Sequence, residues 1–117
     1  MTVDRGTVVL VELDPTVGHE QRGVRPFIAV SDPSLNADQR FPLIAVVPAT
    51  GTAGVGALYP ALSPGTSGLT KASCALVDHL RSIDKRRIRR IFGQVSSSEL
   101  ADIDQGLELF LGLHAAS

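Results

Sequence analysis

The sequence predicts a mainly β protein with a C-terminal helix, built as a small antiparallel barrel or sandwich. Short apolar runs follow one another at close spacing, with turn residues between them and no helical periodicity. Residues 96–111 then carry a helix-start signature followed by apolar residues at helical spacing. Because no helices separate the strands, a parallel βαβ sheet is excluded.

The expected strands are residues 7–13, 27–31, 43–49, 57–62, 72–77, 79–83 and 89–95. The first two are rich in Val, Ile and Leu and predict an antiparallel hairpin around the polar segment 14–26. Segment 32–41 is polar and segment 51–56 is rich in glycine, so both predict connections. Pro60 restricts the fourth run to a sheet edge, because proline donates no ladder hydrogen bond.

The C-terminal helix is expected to begin at Ser96. Residues 96–99 read S-S-S-E, a capping box in which Ser96 serves the third amide and Glu99 reaches back to the cap. Gly106 costs this helix about 1 kcal/mol relative to alanine. The apolar stripe consists of Leu100, Ile103, Leu107, Phe110 and Leu111. This stripe predicts a face that packs on the barrel or forms a dimer contact.

Length and composition indicate one soluble globular domain spanning residues 1–117. The chain is 44% hydrophobic and 20% charged, with no apolar run of membrane-spanning length and no apolar signal segment at its start. The single cysteine, Cys74, permits no internal disulfide and favours a reducing compartment. We therefore expect a cytoplasmic protein in which Cys74 is a small buried hydrophobe, the alternative being a reactive thiol.

The charge distribution leaves the nature of the partner open. A net charge of −1 argues mildly against nucleic acid, which normally requires a basic surface. Five of the eleven cations nevertheless fall in residues 85–90, and Arg22 and Arg25 lie in segment 14–26. Local fields matter more than the total, so the cluster at 85–90 indicates either a binding patch or a solvated basic face.

Segment 14–26, D-P-T-V-G-H-E-Q-R-G-V-R-P, has the composition of a functional loop. Prolines fix its rims, and Gly18 and Gly23 allow backbone angles or close approaches that other residues resist. Binding and catalytic groups concentrate on such loops, although a long solvated hairpin loop has a similar composition. Cys74 stands alone and the three histidines are not at ligand spacings, so neither a metal site nor a cofactor is predicted.

Three segments together resemble the MazF/PemK-type toxins. Residues 5–26, R-G-T-V-V-L-V-E-L-D-P-T-V-G-H-E-Q-R-G-V-R-P, match the opening motif of that family almost throughout. Residues 68–84, G-L-T-K-A-S-C-A-L-V-D-H-L-R-S-I-D, resemble its second signature, and residues 94–113 its closing helix. The resemblance covers essentially the whole chain.

The resemblance implies the SH3-like barrel shared by the MazF, PemK and CcdB toxins, usually as a symmetric homodimer. It also implies a sequence-specific, metal-independent and ribosome-independent endoribonuclease that cuts single-stranded RNA. Attack by the RNA 2'-OH would leave a 2',3'-cyclic phosphate and a 5'-OH. A cognate antitoxin protein would hold the enzyme inactive.

Residue by residue, the family's essential arginine corresponds to Arg25 and its essential threonine or serine to Thr50. From the residues alone, an ordinary strand-terminal threonine is the favoured interpretation of Thr50, and Arg25 is equally an ion-pair partner of Glu20. Because an arginine effectively never deprotonates in proteins, a charge-stabilising role suits Arg25 better than that of a general base, and the base is left open.

The expected substrate-binding residues are His19, Glu20, Gln21 and Arg81. Glu20 and Gln21 are expected to shape the loop and to contact RNA or order Arg25. His19 stands where family members often carry serine, and an imidazole there is expected to contact substrate or solvent, the alternative being a proton shuttle. His79 is expected to be structural or to line the rim.

Two other functions remain open. A CcdB-type protein shares the fold and poisons gyrase by binding, without chemistry of its own, and the motif in segment 14–26 disfavours it. A non-catalytic RNA- or protein-binding module is the third alternative.

Overall fold

The computed structural model of the chain describes residues 2–13 and 24–113. The strands are β1 (Thr7–Glu12), β2 (Val24–Ala29), β3 (Leu43–Thr50), β4 (Ala61–Leu62), β5 (Ser73–Ala75), β6 (Arg81–Asp84) and β7 (Ile88–Gln94). The helices are α1 (Pro33–Ala37) and α2 (Ser97–Leu111), with 3-10 turns at Val77–His79 and Lys85–Arg87. The prediction of a mainly β fold with a C-terminal helix is confirmed.

The strands form one curled, antiparallel sheet, an open half-barrel. Their order is β4-β5-β3-β2-β1-β7, and β6 pairs with β3 beside β5. β1 and β2 pair as the predicted hairpin, with Val9 opposite Phe27. The run expected at 57–62 forms ladder pairs only at Ala61–Leu62, and it lies at the sheet end as its proline predicts.

Strand β3 lies in the middle of the sheet. It pairs with β2 on one side and with both β5 and β6 on the other. Its first half pairs with β6 and its last two residues pair with β5, where Thr50 lies opposite Cys74. The 3-10 turn Val77–His79 separates β5 from β6, which is where Asp78 predicted an interruption. β5 and β6 therefore run along β3 as one broken strand.

Each face of the sheet carries a buried cluster. One buried cluster includes Val8, Ile28 and Val47 and packs under α2, and the other includes Val9, Phe27 and Val46 on the opposite face. Adjacent residues of one strand thus enter different clusters, as strand alternation requires. Cys74 is 2% exposed, and burial raises the pKa of its thiol, which agrees with the expected buried hydrophobe.

Helix α1 lies inside segment 32–41, where the sequence predicted only a connection. The Asp32 side chain accepts a hydrogen bond from the Ser34 amide at 2.8 Å, and Pro33 occupies the first turn. These are ordinary helix-start residues, so the signal was present in the sequence. The Lys85 ammonium donates to the carbonyl oxygens of Leu35 and Asp38 and so closes the other end of the helix.

Helix α2 begins with the predicted capping box. The Glu99 amide donates to Ser96 Oγ at 3.1 Å, and the Ser96 amide donates to Glu99 Oε1 at 3.0 Å. Gly106 is needed because a Cβ there would lie 2.8 Å from the carbonyl oxygen of Ala57. Of the apolar stripe on this helix, Ile103 is buried in the core, whereas Phe110 remains 46% exposed.

Arg5 ties the start of the sheet to this helix. Its Nη1 donates to Asp104 Oδ2 at 2.9 Å, and its Nε donates to the carbonyl oxygen of Val30 at 2.8 Å. The hydrogen bond to Asp104 raises the pKa of the guanidinium further above its ordinary value. Arg5 is therefore a structural cation.

Candidate active site

The two predicted catalytic residues lie at the same end of the sheet. Arg25 is the second residue of β2, opposite Val11 of β1, and Thr50 is the last residue of β3. The β2–β3 ladder reaches Phe27 opposite Pro48. Two residues further along each strand, the same register brings Arg25 opposite Thr50.

Strand alternation places their side chains on the same face of the sheet. Arg25 shares a face with Phe27, and Thr50 shares a face with Val46. Phe27 and Val46 belong to the same buried cluster, so Arg25 and Thr50 lie at the open end of that cluster. Arg81 of β6 is the register partner of Val46 of β3, so it belongs to this face as well.

Local sequence explains how Arg25 is presented. A residue that precedes proline is confined to extended backbone conformations, so Pro26 keeps Arg25 in the strand. Arg25 is exposed and Thr50 is half-buried. Across residues 2–13 and 24–113, the Arg25 and Arg81 guanidinium groups and the Thr50 hydroxyl make no hydrogen bond or ion pair. These three groups are therefore available to a ligand within the described chain.

Predicted residues His19, Glu20 and Gln21 lie outside the described residues. Their expected roles in shaping the loop, contacting substrate or ordering Arg25 stay predictions. The alternative in which Arg25 is an ion-pair partner of Glu20 stays open for the same reason.

The basic cluster at residues 85–90 is largely occupied by structural contacts. Lys85 closes helix α1, Arg86 pairs with Asp84 at 3.0 Å, and Arg89 pairs with Glu12. The guanidinium of Arg90 lies 5.1 Å from the centre of the Phe92 ring. The cluster therefore serves mainly as a basic face that supports the fold, the second of the two interpretations left open by its sequence.

A second polar group lies at the 3-10 turn between β5 and β6. The Tyr59 hydroxyl donates to Asp78 Oδ2 at 2.7 Å, and this carboxylate raises the pKa of Tyr59. Asp78 Oδ1 is buried and has no hydrogen-bond partner within the described chain, and the exposed His79 places Nε2 3.7 Å from it. The expected role of His79, structural or lining the rim, stays a prediction, and Tyr59 holds the turn to the segment before β4.

The described residues form neither a metal-binding cluster nor a membrane-spanning helix. Residues 2–13 and 24–113 contain no group of three or more His, Cys, Asp or Glu side chains placed to hold a metal ion. Neither α1 nor α2, the helices of the described chain, has the length and hydropathy of a transmembrane helix.

The fold defines a small, mainly β protein whose curled antiparallel sheet presents an arginine and a threonine, both hydrogen-bond donors, at one end. The family of PemK-like, MazF-like toxins of type II toxin–antitoxin systems matches residues 4–111. The chain belongs to this family, and the family predicted from the sequence motifs is confirmed.

Individual relatives agree with this assignment. Endoribonuclease MazF9 of Mycobacterium tuberculosis (strain ATCC 25618 / H37Rv) is 37% identical over 115 residues, which cover 93% of this chain and 96% of that protein. A MazE–MazF crystal structure from Deinococcus radiodurans (Form-II) has a TM-score of 0.79 at 28% identity and covers 97% of this chain and 99% of its own. MazF alone from the same organism (Form-I) has a TM-score of 0.73 at 30% identity, covering 96% of this chain and 98% of its own.

Proposed function

We propose that this chain is an endoribonuclease toxin that cuts single-stranded RNA at a specific sequence. The observation that carries the proposal is the register that brings Arg25 opposite Thr50 on one accessible face, with no described partner for either side chain. A guanidinium beside a hydroxyl suits a phosphodiester, because both donate hydrogen bonds to phosphate oxygens. Family membership and the activity named for the M. tuberculosis relative support the same activity.

The reaction uses a nucleophile that RNA itself supplies. The 2'-OH loses its proton to a base and attacks the adjacent phosphorus while the bond to the 5' oxygen breaks. The leaving 5' oxygen takes up a proton, so the products are a 2',3'-cyclic phosphate and a 5'-OH. Because no water has to be activated, the reaction does not require a metal-bound hydroxide, and family membership supports cleavage without the ribosome.

Arg25 stabilises the negative charge that develops on the phosphate oxygens, and Thr50 donates a hydrogen bond to the same phosphate or to the leaving oxygen. Arg81 extends the binding face along β3, and His19, Glu20 and Gln21 contact the RNA or order Arg25. The general base is not assigned, since an arginine does not deprotonate at neutral pH.

The chain works as a single domain, residues 1–117, in a cytoplasmic homodimer. The end of α2 supports the dimer, because Leu109, Phe110, Leu111 and Leu113 are each 46–67% exposed in the single chain. Apolar side chains grouped in this way favour burial against a second copy. Light scattering at micromolar concentration tests this point, and a strictly monomeric mass removes it.

A cognate antitoxin protein neutralises the toxin. The Deinococcus radiodurans structure of 0.79 TM-score is a MazE–MazF complex, which supports a partner of this kind. A disordered acidic and apolar segment of the antitoxin occupies the same cationic face as RNA, so inhibition is competitive. Full-affinity binding of an inhibitory peptide and an uncleavable RNA at the same time would contradict shared occupancy.

The decisive experiment incubates the purified protein with a long RNA in EDTA and maps the new ends. We expect cuts at one recurring sequence, with 2',3'-cyclic phosphate and 5'-OH termini. An RNA with a 2'-deoxy residue at the cut position should bind and resist cleavage. A protein that leaves RNA intact and inhibits gyrase would instead be the gyrase-directed binder, an alternative that the family match disfavours.

A further inference from the structure

Strand β6 forms an open edge of the sheet. Among the described strands it pairs with β3 alone, and its first two residues, Arg81 and Ser82, are exposed. An unpaired strand edge presents backbone donors and acceptors to any chain that can lie along it. The edge of β6 is therefore a candidate surface for another strand.

The β3 register determines which backbone groups lie on this edge. The Val30 amide donates to the Ala45 carbonyl oxygen at 2.9 Å, so Ala45 directs its backbone groups toward β2. Ser82 is the register partner of Ala45 on the other side of β3. Because Ala45 bonds toward β2, this pair is not hydrogen-bonded, and Ser82 directs its own N–H and C=O away from β3. By the same alternation, Asp84 directs its N–H outward.

The outward groups are complementary to a second copy of themselves. Ser82 offers one donor and one acceptor, and Asp84 offers a donor two residues later. Two residues earlier, the Leu80 amide is bonded to the Val77 carbonyl oxygen at 3.1 Å, whereas the Leu80 carbonyl oxygen accepts no hydrogen bond within the described chain. Two antiparallel β6 strands with Ser82 on a twofold axis would therefore match Ser82 with Ser82 of the partner subunit. The Asp84 N–H would then meet the carbonyl oxygen of Leu80 of the partner subunit.

An exposed apolar group adjoins the same part of the fold. Helix α2 packs on the 3-10 turn that precedes β6, since a Cβ at Gly106 would lie 3.2 Å from Val77 Cγ2. Past Gly106, the exposed apolar residues are Leu109, Phe110, Leu111 and Leu113. Leu80, the residue before β6, and Leu107 of α2 pack against the same buried cluster. The edge of β6 and the end of α2 thus adjoin one turn, and one partner can cover both.

We propose that β6 pairs with β6 of a second copy of this chain, antiparallel about a twofold axis at Ser82, so that the sheet continues through the dimer. A second copy fits because the twofold axis places the donors of each edge opposite the acceptors of the other. It also brings exposed apolar surface at the end of α2 into the contact, where burial is favourable. The pairing specifies where the homodimer of the proposed function forms.

The pairing also brings both copies to one RNA-binding face. Arg81 lies on the face that carries Arg25 and Thr50, and a twofold axis perpendicular to the sheet keeps that face on the same side in both copies. With Ser82 on the axis, Arg81 lies opposite Ile83 of the partner subunit. The Cα atoms of the two Arg81 residues are then roughly 8 Å apart, from the rise and spacing of paired strands. The partner's Arg81 thus joins the face that each strand-end site uses, a consequence that rests on the proposed endoribonuclease function.

Amide exchange followed by NMR without RNA tests the pairing in the wild-type protein. We expect the Ser82 and Asp84 amides to exchange as slowly as that of Ile83, which bonds to β3. The Ala61 amide is the matched control, because it lies in the edge strand β4 and points away from β5, and it should exchange fast. Exchange of Ser82 and Asp84 as fast as Ala61 in a protein of dimeric mass would place the dimer contact elsewhere and overturn the proposal.

Ser82→Pro removes the central donor of the contact. This N–H points away from β3, so the proline leaves the β3 ladder intact. We expect a monomer by light scattering at concentrations where wild type and Ser82→Ala, which keeps the N–H, are dimers. A folded Ser82→Pro dimer would contradict the pairing, and if this variant does not fold, the exchange of the wild-type amides decides.

Two further outcomes identify other occupants of the edge. A strictly monomeric wild-type protein would exclude a second copy. If the Ser82 and Asp84 amides became protected only on addition of the cognate antitoxin, the edge would belong to that protein. Either result would overturn the proposal.

The shared RNA face has a test of its own. The probe is a short single-stranded RNA with one cleavage site, mapped in a long transcript and made with a 2'-deoxy residue at the cut. We expect Ser82→Pro to lower the slope of log affinity against log salt by about 0.7, the value for one phosphate contact in a single strand, because one Arg81 is lost from the face. Ser82→Ala should keep the wild-type slope. An unchanged slope in a monomeric Ser82→Pro protein would show that the RNA does not reach the partner's Arg81.

Failure of the pairing and failure of the endoribonuclease function are distinguishable. If wild-type protein cuts RNA while the Ser82 and Asp84 amides exchange fast, the strand pairing is wrong and the endoribonuclease stands. If wild-type protein makes no cuts in long RNA, the proposed function fails, whereas slow exchange of the two amides would still establish the pairing.

Discussion

The basic cluster at residues 85–90 and the strand-end group formed by Arg25, Thr50 and Arg81 differ in how their charges are used. The cluster holds five of the eleven cations, yet Lys85, Arg86 and Arg89 are bound to carbonyl or carboxylate oxygens of the protein. The strand-end group is scattered in sequence and makes no such contacts within the described chain. In this chain, therefore, the density of cations along the sequence and the cations without described partners point to two different surfaces.

The largest effect on catalysis is expected from the loss of Arg25 in the strand-end group. Arg25→Ala should lower kcat by about 10²- to 10³-fold, because a donor to the charge that forms in the transition state is lost. Single-turnover cleavage of the mapped RNA measures this, and circular dichroism verifies the fold. Arg86→Ala is the matched removal from the basic cluster and should cleave at the wild-type rate. A folded Arg25→Ala protein with wild-type kcat would refute the assignment.

Thr50→Val should follow with a loss of similar order, about 10²-fold, since valine keeps the volume and removes the donor. The same cleavage assay applies. Thr52→Val is the control: it makes the same replacement two residues beyond the end of β3, in segment 51–56, and should be nearly silent. Equal losses in the two variants would show that the effect comes from the strand end as a whole and not from the Thr50 hydroxyl.

Removing a paired cation should affect stability and leave catalysis unchanged. Arg5→Met breaks the contacts to Asp104 and to the Val30 carbonyl oxygen. The expected loss is about 1–2 kcal/mol, between the values for exposed ion pairs and for charged hydrogen bonds. Urea unfolding measures this, with Arg40→Met as the exposed control expected to change stability by less than about 0.5 kcal/mol. An Arg5→Met protein as stable as wild type would show that Arg5 does not stabilise the fold.

The smallest expected effect concerns pH and the Asp84–Arg86 pair. The side chain of Arg86, followed by its backbone amide, lowers the pKa of Asp84 from 3.8 to about 2. A lowered folded pKa means that the contribution to stability is present above the unfolded value and is lost as pH falls toward 2. Arg86→Gln should therefore slightly reduce the urea midpoint at pH 6, and the difference should shrink as pH falls through about 2. A difference that grows on acidification would have the wrong sign for this pair.

Much of the fold follows from local sequence. The hairpin of β1 and β2 and the start of α2 were predicted because Val-rich strands and the Ser96–Glu99 box act over a few residues. Helix α1 was not predicted because segment 32–41 as a whole is polar. Asp32 and Pro33 are nevertheless typical helix-start residues. The lengths of β4 and β5 depend on partners distant in sequence, which no local pattern contains.

The candidate site, too, follows only in part from the sequence. Arg25 and Thr50 were chosen through the family motif, and the residues alone left each with a structural alternative. Their proximity follows from the β2–β3 register, a tertiary fact.

The broken strand formed by β5 and β6 makes the two ends of β3 unequal in local opening. β6 pairs with β3 at four positions, from Leu43 to Val46, whereas β5 pairs at only Ala49 and Thr50. Opening the Thr50 end therefore costs fewer hydrogen bonds, and its amides should exchange with deuterium sooner than those near Ile44. Bound RNA would close that end and slow its exchange selectively. The protein would then hold its least protected strand end at the place where the substrate supplies the missing contacts.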